Sequence, residues 1–375
     1  MIFACADLHL GKSLCKGISS LAGDSFHALL SLRDAILDVK TDEEKHLLVA
    51  GDIYDLSRVD GATIKAVGDF CSDLTSNGVK IYFIEGNHDR QDPNNPQSIP
   101  LMLANASQEA RLHMFHLNLQ GTYIDGLSVK GQSYTPPEQL KAVIKNVQAD
   151  ILVLHQAFEE MLPFEGKFDL SFEDIPPTVK NVVCGDIHVA TNKELVAGSN
   201  RWFVSPGSLH PCAIDQRKGH GFWTFNKPTN TWGFTELQDQ RMIFDLEITE
   251  TTERGSDELK KIIDHLLLIG TTANRKSVLA LSYTRCKAEL FRELCAILER
   301  WFIILDYPTA SGKMMDMSAM SMNILQPDLL TLDKALPYAC NAEKNPEAYK
   351  LLEDLLVPGS DVNSILEGFV NSRIT

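Results

Sequence analysis

An α/β sandwich of two sheets flanked by helices, followed by a small α+β unit and a helical C-terminal tail, is the fold this sequence predicts. Three observations carry that reading. Short apolar runs alternate with segments of helical periodicity in the first part of the chain, which is the pattern of a mainly parallel sheet covered by helices. Five of those apolar runs end in Asp, Asn or His, and functional groups are expected at the carboxyl ends of parallel strands. After about Asp239 the composition shifts, and a shorter block of strand-like and helix-like runs follows.

Taken in order, Ile2 to Ala6 predicts a short buried strand. Ser25 to Val39 carries Phe26, Leu29, Leu30, Ile36 and Leu37 at helical spacing. Leu47 to Ala50 predicts the next strand. Asp60 to Asn77 predicts a second helix, with Ile64, Val67, Phe70 and Leu74 on one face and Asn77-Gly78 closing it. Val79 to Ile84 predicts the third strand, and this βαβαβ order implies a mainly parallel inner sheet. Asp92 to Pro100 is rich in Pro, Asn and Gln and predicts a surface loop. Leu112 to His116, Gly121 to Ile124 and Leu127 to Gly131 predict short strands, with a turn at Asp125-Gly126. Pro137 to Asn146 predicts a helix. Ile151 to Leu154 and Val182 to Cys184 predict further buried strands. Trp202 to Val204 and Gly221 to Phe225 predict the last strands of a second, more antiparallel sheet.

Beyond the sandwich, strands are predicted at Ile243 to Ile248, Val278 to Tyr283 and Phe302 to Tyr307, with helices at Asp257 to Leu268 and Lys287 to Arg300. This block predicts a separate small domain. Lys313 to Asn323 holds Met314, Met315, Met317, Met320 and Met322 among small polar residues, which fits a linker or a methionine-rich partner contact. Two amphipathic segments, Pro346 to Leu356 and Val362 to Val370, are separated by Pro358-Gly359. They fit either a packed terminal hairpin or a docking element.

Composition narrows the function. At 375 residues the chain is long enough for a full-size core plus appendages. Its formal charge of −15 argues against a general basic coat for nucleic acid, though not against a local basic groove or metal bridging to phosphates. The 8 cysteines form no CxxC pair, and Cys5 and Cys184 fall inside apolar runs. This predicts reduced thiols and a cytoplasmic protein. The N-terminus lacks a basic leader, and no apolar stretch is long enough to span a membrane.

The chemistry-bearing residues sit at the strand ends. Asp7-Leu8-His9 follows the first strand, Gly51-Asp52-Ile53-Tyr54-Asp55 the second and Gly86-Asn87-His88-Asp89 the third. His155 follows the fourth buried run and Gly185-Asp186-Ile187-His188 the fifth. An Asp-x-His on an extended chain end points both side chains to one side. Asp52 offers two oxygens, enough to bridge two cations, and Asn87 offers a neutral oxygen. Oxygen and nitrogen donors without thiolate favour manganese or iron over calcium. Two cations a few ångströms apart suit phosphoester hydrolysis. His88, beside Asn87, is placed to give a proton to a leaving oxygen, and Asp89 to hold its tautomer. Each residue alone has a structural alternative. Asp52 and Asp186 fit helix caps or turns, and a lone histidine is more often core or surface. The joint pattern in one order is what points to a metal centre. His27, Asp55, His113, His116, His210 and His220 are expected in structural or substrate-side roles.

These motifs together resemble the signature of the calcineurin-like metallophosphoesterases, over about the first 225 residues. Within that superfamily the chain resembles the SbcD-type DNA-repair nucleases. Leu48 to Asp55 is similar to their second motif, and Ser205-Pro206-Gly207-Ser208-Leu209 with Lys218-Gly219-His220-Gly221-Phe222 is similar to another of their segments. The resemblance implies one metal held by Asp7, His9, Asp52 and His188, and another held by Asp52, Asn87, His155 and Asp186. His88 would be the catalytic histidine. It implies two divalent ions, manganese or alternatively magnesium. It also implies a nuclease domain over residues 1–238, a DNA-capping domain over 239–312, a linker over 313–345 and a docking tail over 346–375. DNA, an SbcC-type coiled-coil ATPase and a second copy of the chain are the partners it implies. One departure stands out: the family pattern is Gly-His-x-His, whereas here it is Gly-Asp-Ile-His. A carboxylate at 186 favours hard cations such as manganese or magnesium. A phosphodiesterase or phosphatase acting on non-DNA phosphoesters, and a weakly active adaptor that retains the fold, are the competing readings.

Overall fold

The strand Ile2–Cys5 (β1) is apolar throughout because both of its faces are covered. Phe3 and Cys5 point into a core shared with helices, while Ile2 and Ala4 point into a second core between two sheets. Parallel strands buried on both sides read as continuous apolar runs for this reason. The structure, a computed structural model, describes residues 1–15, 18–90, 98, 100, 102–103, 113–161, 168–217, 219–238, 240–248, 261–266, 268, 276–283 and 295–308. Most of the expected loop over 92–100, all of the methionine-rich segment and both tail segments lie outside the described residues.

The first sheet sets Lys45–Ala50 (β2), Val79–Ile84 (β3) and Met114–His116 (β4) parallel beside β1. Two helices, Asp24–Asp38 (α1) and Gly61–Ser76 (α2), lie on its outer face. Ala28, Leu29, Leu32 and Ile36 of α1 and Val67, Phe70 and Leu74 of α2 recur at helical spacing and pack on Phe3, Leu47, Val49, Ile81 and Phe83. Asp60 caps α2, accepting from the Ala62 and Thr63 N–H groups at 2.9 and 3.0 Å.

The second sheet is formed by Thr122–Ile124 (β5), Leu127–Gly131 (β6), Ala149–His155 (β7), Val179–Gly185 (β8), Thr191–Glu194 (β9) and Trp202–Ser205 (β10), in the order β5-β6-β7-β8-β10-β9. The helix Pro137–Ile144 (α3) seats Leu140 and Ile144 on its outer face, against Leu152, Leu154, Val182 and Phe203. Between the sheets, Leu48, Ala50, Tyr82 and Ile84 meet Ile124, Val129, Ile151, Val153 and Val183.

The structure corrects two topological expectations. Gly221–Asn226 (β11) belongs to the first sheet, antiparallel to β1 with Ile2 opposite Phe225, and not to the second. The second sheet is parallel from β6 through β10 and antiparallel only at its two edges. Burial explains the placement of β11. Phe222 reaches the helix-side core while Trp223 and Phe225 reach the inter-sheet core, so this strand needs cover on both faces. Thr231–Glu236 (β12) pairs with it at the sheet edge.

The chain divides into two compact units, Met1–Gln240 and Arg241–Thr375. In the second unit, Ile243–Ile248 (β13), Ser277–Tyr283 (β14) and Phe302–Pro308 (β15) form a parallel three-stranded sheet. Residues 261–266 and 295–298 are helical. Leu246, Ile263, Leu266, Leu279, Leu298 and Phe302 make its core.

Candidate metal centre

Two neighbouring loops, after β1 and β2, are laced together by backbone hydrogen bonds. The Asp7 N–H donates to the Gly51 carbonyl at 3.1 Å, the His9 N–H to Asp52 at 3.0 Å and the Leu10 N–H to Ile53 at 3.0 Å. Asp7, His9, Asp52 and Asp186 all adopt left-handed backbone, with φ of 51°, 40°, 52° and 77°. A non-glycine residue in this region costs on the order of 1 kcal/mol and persists where surrounding structure enforces it, often at functional sites. The turns fold each chain back so that these side chains converge instead of following their strands.

Asp52 lies at the centre and is buried. Its Oδ2 is 3.6 Å from His9 Nε2, and its Oδ1 is 3.4 Å from His155 Nε2. The two oxygens therefore face two different groups of donors. In the first group, His9 Nε2 and His188 Nε2 are 3.0 Å apart, and each lies 4.0 Å from Asp7 Oδ1. In the second, His155 Nε2 is 3.0 Å from Asn87 Oδ1 and 3.8 Å from Asp186 Oδ1. The Asp186 N–H donates to Asp7 Oδ1 at 3.1 Å and ties the groups together. All seven expected ligand positions are thus gathered around one carboxylate.

The imidazole of His155 is locked by glycines. A Cβ on Gly51, whose φ is +86°, would lie 2.5 Å from His155 Nδ1. One on Gly185 would strike both that ring and the Ala50 carbonyl. That carbonyl stands 2.7 Å from His155 Nδ1, which leaves Nε2 to face the site.

His88 sits at the rim, 38 % exposed at its side chain, with Nε2 4.0 Å from Asp52 Oδ2. Its Nδ1 lies 2.6 Å from the Asp55 carbonyl oxygen. The expectation that Asp89 holds the His88 tautomer does not match this geometry. Both Asp89 oxygens are committed to backbone, accepting from Tyr54 N–H at 3.0 Å and Gly86 N–H at 2.9 Å. Asp89 is buried and ties the second and third loops together; it does not orient the ring. Asp55 does, through a backbone atom that residue type cannot reveal. Its carboxylate is 3.2 Å from Lys12 Nζ and 3.6 Å from His9 Nδ1.

Sequence reasoning also missed Gln216, whose amide nitrogen lies 2.9 Å from His188 Nδ1. The loop bearing Gln216 is anchored by His220, which faces the carbonyls of Ser208 and Gln216 at 3.0 and 3.1 Å. His220 therefore helps to hold this loop in place. His210 is buried and faces its neighbour Pro211. His116 approaches Ser133 at 3.1 Å, and His113 stands beside Phe115. The Ser205-Pro206-Gly207-Ser208-Leu209 and Lys218-Gly219-His220-Gly221-Phe222 segments, on either side of Gln216, were the signals pointing toward this loop.

The charges are poised for cations. Burial pushes the Asp7 carboxyl up to about 8, reinforced by Asp52 and Asp186 against His155. Burial raises Asp186 as well, with Asp52 and Asp169 adding to it, and raises Asp89 to about 7. Burial works against Asp52, but His155, His9 and His88 hold it down at about 2. Burial likewise opposes the charge on His155, yet Asp52, Asp7 and Asp186 raise it to about 10. Burial lowers His188 to about 4 and His9 well below its ordinary value. The neutral imidazoles of His9 and His188 beside crowded carboxylates are what a cation needs, and a cation at the second group would displace the proton from His155.

The residues present fit two divalent metal ions. Asp7 Oδ2 is buried without a hydrogen-bond partner, and native structures rarely leave such an atom unpaired. Donor spacings of 3.0–4.0 Å suit ligands shared by one cation. Cys212 is close to His9 and His188. Burial pushes its thiol up to about 12, so the donor set stays oxygen and nitrogen. Beside the centre, Asp55, Leu56, Ser57, Asn87, His88 and Arg90 line an open cavity of about 250 Å³.

The family model described as calcineurin-like phosphoesterase matches residues 1–190. The chain is similar to the DNA double-strand break repair protein Mre11 of Nanoarchaeum equitans, at 23% identity over 274 residues, covering 66% of this chain and 71% of that protein. It is also similar to the protein of the same name from Sulfolobus acidocaldarius, at 24% identity over 300 residues, covering 73% and 76%.

Proposed function

The chain belongs to the calcineurin-like phosphoesterase family, and from that premise we propose that it is a two-metal DNA nuclease. The observation that carries the reading is the split of the Asp52 carboxylate, one oxygen toward His9 and the other toward His155. Asp7, His9, Asp52 and His188 would hold one cation, and Asp52, Asn87, His155 and Asp186 the other. When bound, a pair of divalent cations lowers the pKa of water and offsets the charge of a phosphoryl group. Manganese is the proposed metal and magnesium the alternative, because Asp186 adds a hard carboxylate.

The chain's own residues then have distinct roles. The Asp55 carbonyl accepts a hydrogen bond from His88 Nδ1–H, so Nε2 faces the site, and as the imidazolium the ring would give its Nε2 proton to the departing sugar oxygen and be left neutral. Arg90, at the edge of the cavity beside Asn87 and His88, offers a cation to the backbone of the nucleic acid. Gln216 and the Ala50 carbonyl keep His188 and His155 turned toward the site.

The similarity to proteins named for DNA double-strand break repair supports DNA as the substrate. The reading is exonuclease action on duplex ends, with endonuclease action on single strands or hairpins. It extends to a role as nuclease subunit for an SbcC-type coiled-coil ATPase, docked through residues 346–375, in DNA repair, recombination or replication. A homodimer and a cytoplasmic location complete it. Among the described residues no helix is long and apolar enough to cross a membrane.

Purified protein with manganese is expected to degrade labelled duplex DNA, and faster than it hydrolyses nitrophenyl phosphoesters. A protein that cleaves the small esters and leaves DNA intact contradicts the assignment.

A further inference from the structure

At the other ends of the same strands lies a second group of ligand-type side chains. Glu44 immediately precedes β2, His46 is its second residue, and Asp125 occupies the β5–β6 turn with φ of 50°. Strands of this length separate the group from the metal centre by roughly 15–20 Å. The side chain of His46 is 3 % exposed; its Nδ1 has no hydrogen-bond partner, and its Nε2 is turned toward two carboxylates without a hydrogen bond of good geometry. Its Nε2 lies 3.4 Å from Asp125 Oδ1 and 3.7 Å from Glu44 Oε2. One donor atom from each of the three residues falls within 4.8 Å of the others.

A buried imidazole whose Nε2 meets two carboxylates only at 3.4 and 3.7 Å recovers little of its desolvation cost, and a cation between them would recover more. Burial also pushes His46 below its ordinary value, so the ring keeps a lone pair to donate. We propose that Glu44, His46 and Asp125 form a binding site for a divalent cation of the zinc class, which ties the first sheet to the second at the end away from the metal centre. Ligands at about 2.1 Å in a tetrahedron stand roughly 3.4 Å apart, close to the separations found here. One imidazole and two carboxylates suit zinc or cobalt, with water completing the shell.

Two ammonium groups neutralise the carboxylates in the absence of the ion. Lys80 Nζ is 2.7 Å from Glu44 Oε2, and the Met1 amine is 3.2 Å from Asp125 Oδ2. The Asp125 oxygen that faces His46 is the other one, Oδ1. The cation therefore shares Glu44 with Lys80, and Lys80 weakens its binding.

Equilibrium dialysis of the full chain against zinc tests this, with cobalt absorption as a second readout. Glu44→Gln, His46→Gln and Asp125→Asn are each expected to bind one equivalent fewer than the unaltered protein, with affinity at that site at least about tenfold weaker. Phosphoesterase rates should be unchanged, because none of the three residues touches the metal centre. Lys80→Met should tighten the same site. Glu44 and Asp125 are exposed, so their variants fold and keep the test decisive if His46→Gln does not. Equal zinc stoichiometry in the unaltered protein and in Glu44→Gln and Asp125→Asn overturns the proposal.

Discussion

His88 Nδ1 stands 2.6 Å from the carbonyl oxygen of Asp55, so a backbone atom fixes which imidazole nitrogen faces the substrate side. His88 Nε2 is 4.0 Å from Asp52 Oδ2, and its half-open position at the rim turns it toward the substrate side of the donor groups. His88→Ala is therefore expected to lower the turnover number by about 10²–10⁴, the usual contribution of a positioned acid or base. Manganese stoichiometry should be unchanged. Steady-state rates together with metal analysis check both halves. A variant that keeps full turnover, or one that loses a metal equivalent, contradicts the role.

Gly185 carries a packing constraint. An added Cβ would meet His155 Nδ1 at 2.5 Å and clash with the Ala50 carbonyl. Gly185→Ala should destabilise the protein by about 1–3 kcal/mol, typical of forced overpacking. It should also weaken the metal that His155 helps to hold. Urea unfolding of the metal-free variant and manganese titration of the folded fraction measure the two effects separately. Unaltered values for both would show that the His155 ring has room to move.

Without metal, stability should fall as pH rises above neutral. Asp7 is raised from 3.8 to about 8, Asp89 from 3.8 to about 7 and His155 from 6.5 to about 10 on folding. In each case the folded protein binds protons more tightly than the unfolded chain. That stability is fully present below the unfolded values and is lost as pH climbs through the folded ones. Asp52, lowered to about 2, acts in the opposite direction only below 3.8, and His9, His188 and His210, lowered by burial, do so only below 6.5. Chelated protein should thus melt at a lower temperature near pH 9 than near pH 7. Manganese should restore the loss, since the cation takes over from the protons. A melting temperature that rises with pH above neutral in chelator would contradict the buried-carboxylate account.

Asp186 sets metal preference. Its Oδ1 is 3.8 Å from His155 Nε2, within the second donor group. Asp186→His replaces a hard oxygen with an imidazole and should shift competition from manganese toward zinc, by on the order of tenfold. Competition titration with both metals reads the ratio. An unchanged ratio would remove Asp186 from the ligand set.

The buried inner strands and the polar residues that end them were legible because these strands are buried on both faces. Runs such as Val79–Ile84 and Ala149–His155 stand out as apolar blocks, and each delivers a polar residue where it ends. Thr191–Glu194 was not legible, since it is a polar edge strand whose pairing depends on Trp202–Ser205. The return of Gly221–Asn226 to the first sheet was hidden for a related reason. Its partner β1 lies at the far end of the sequence, and local pattern carries no register. Within the site, residue types announced the donors but not the left-handed turns at Asp7, His9, Asp52 and Asp186 that aim them. The Asp55 carbonyl and the Gln216 amide were invisible because their roles come from three-dimensional placement.

Anomalous diffraction from crystals grown with manganese tests the central claim most directly. The account predicts two peaks roughly 3.5–4 Å apart, one on each side of the Asp52 carboxylate, the first touched by His9 and His188 and the second by Asn87 and His155. A single peak, or a pair that does not share Asp52, would contradict it.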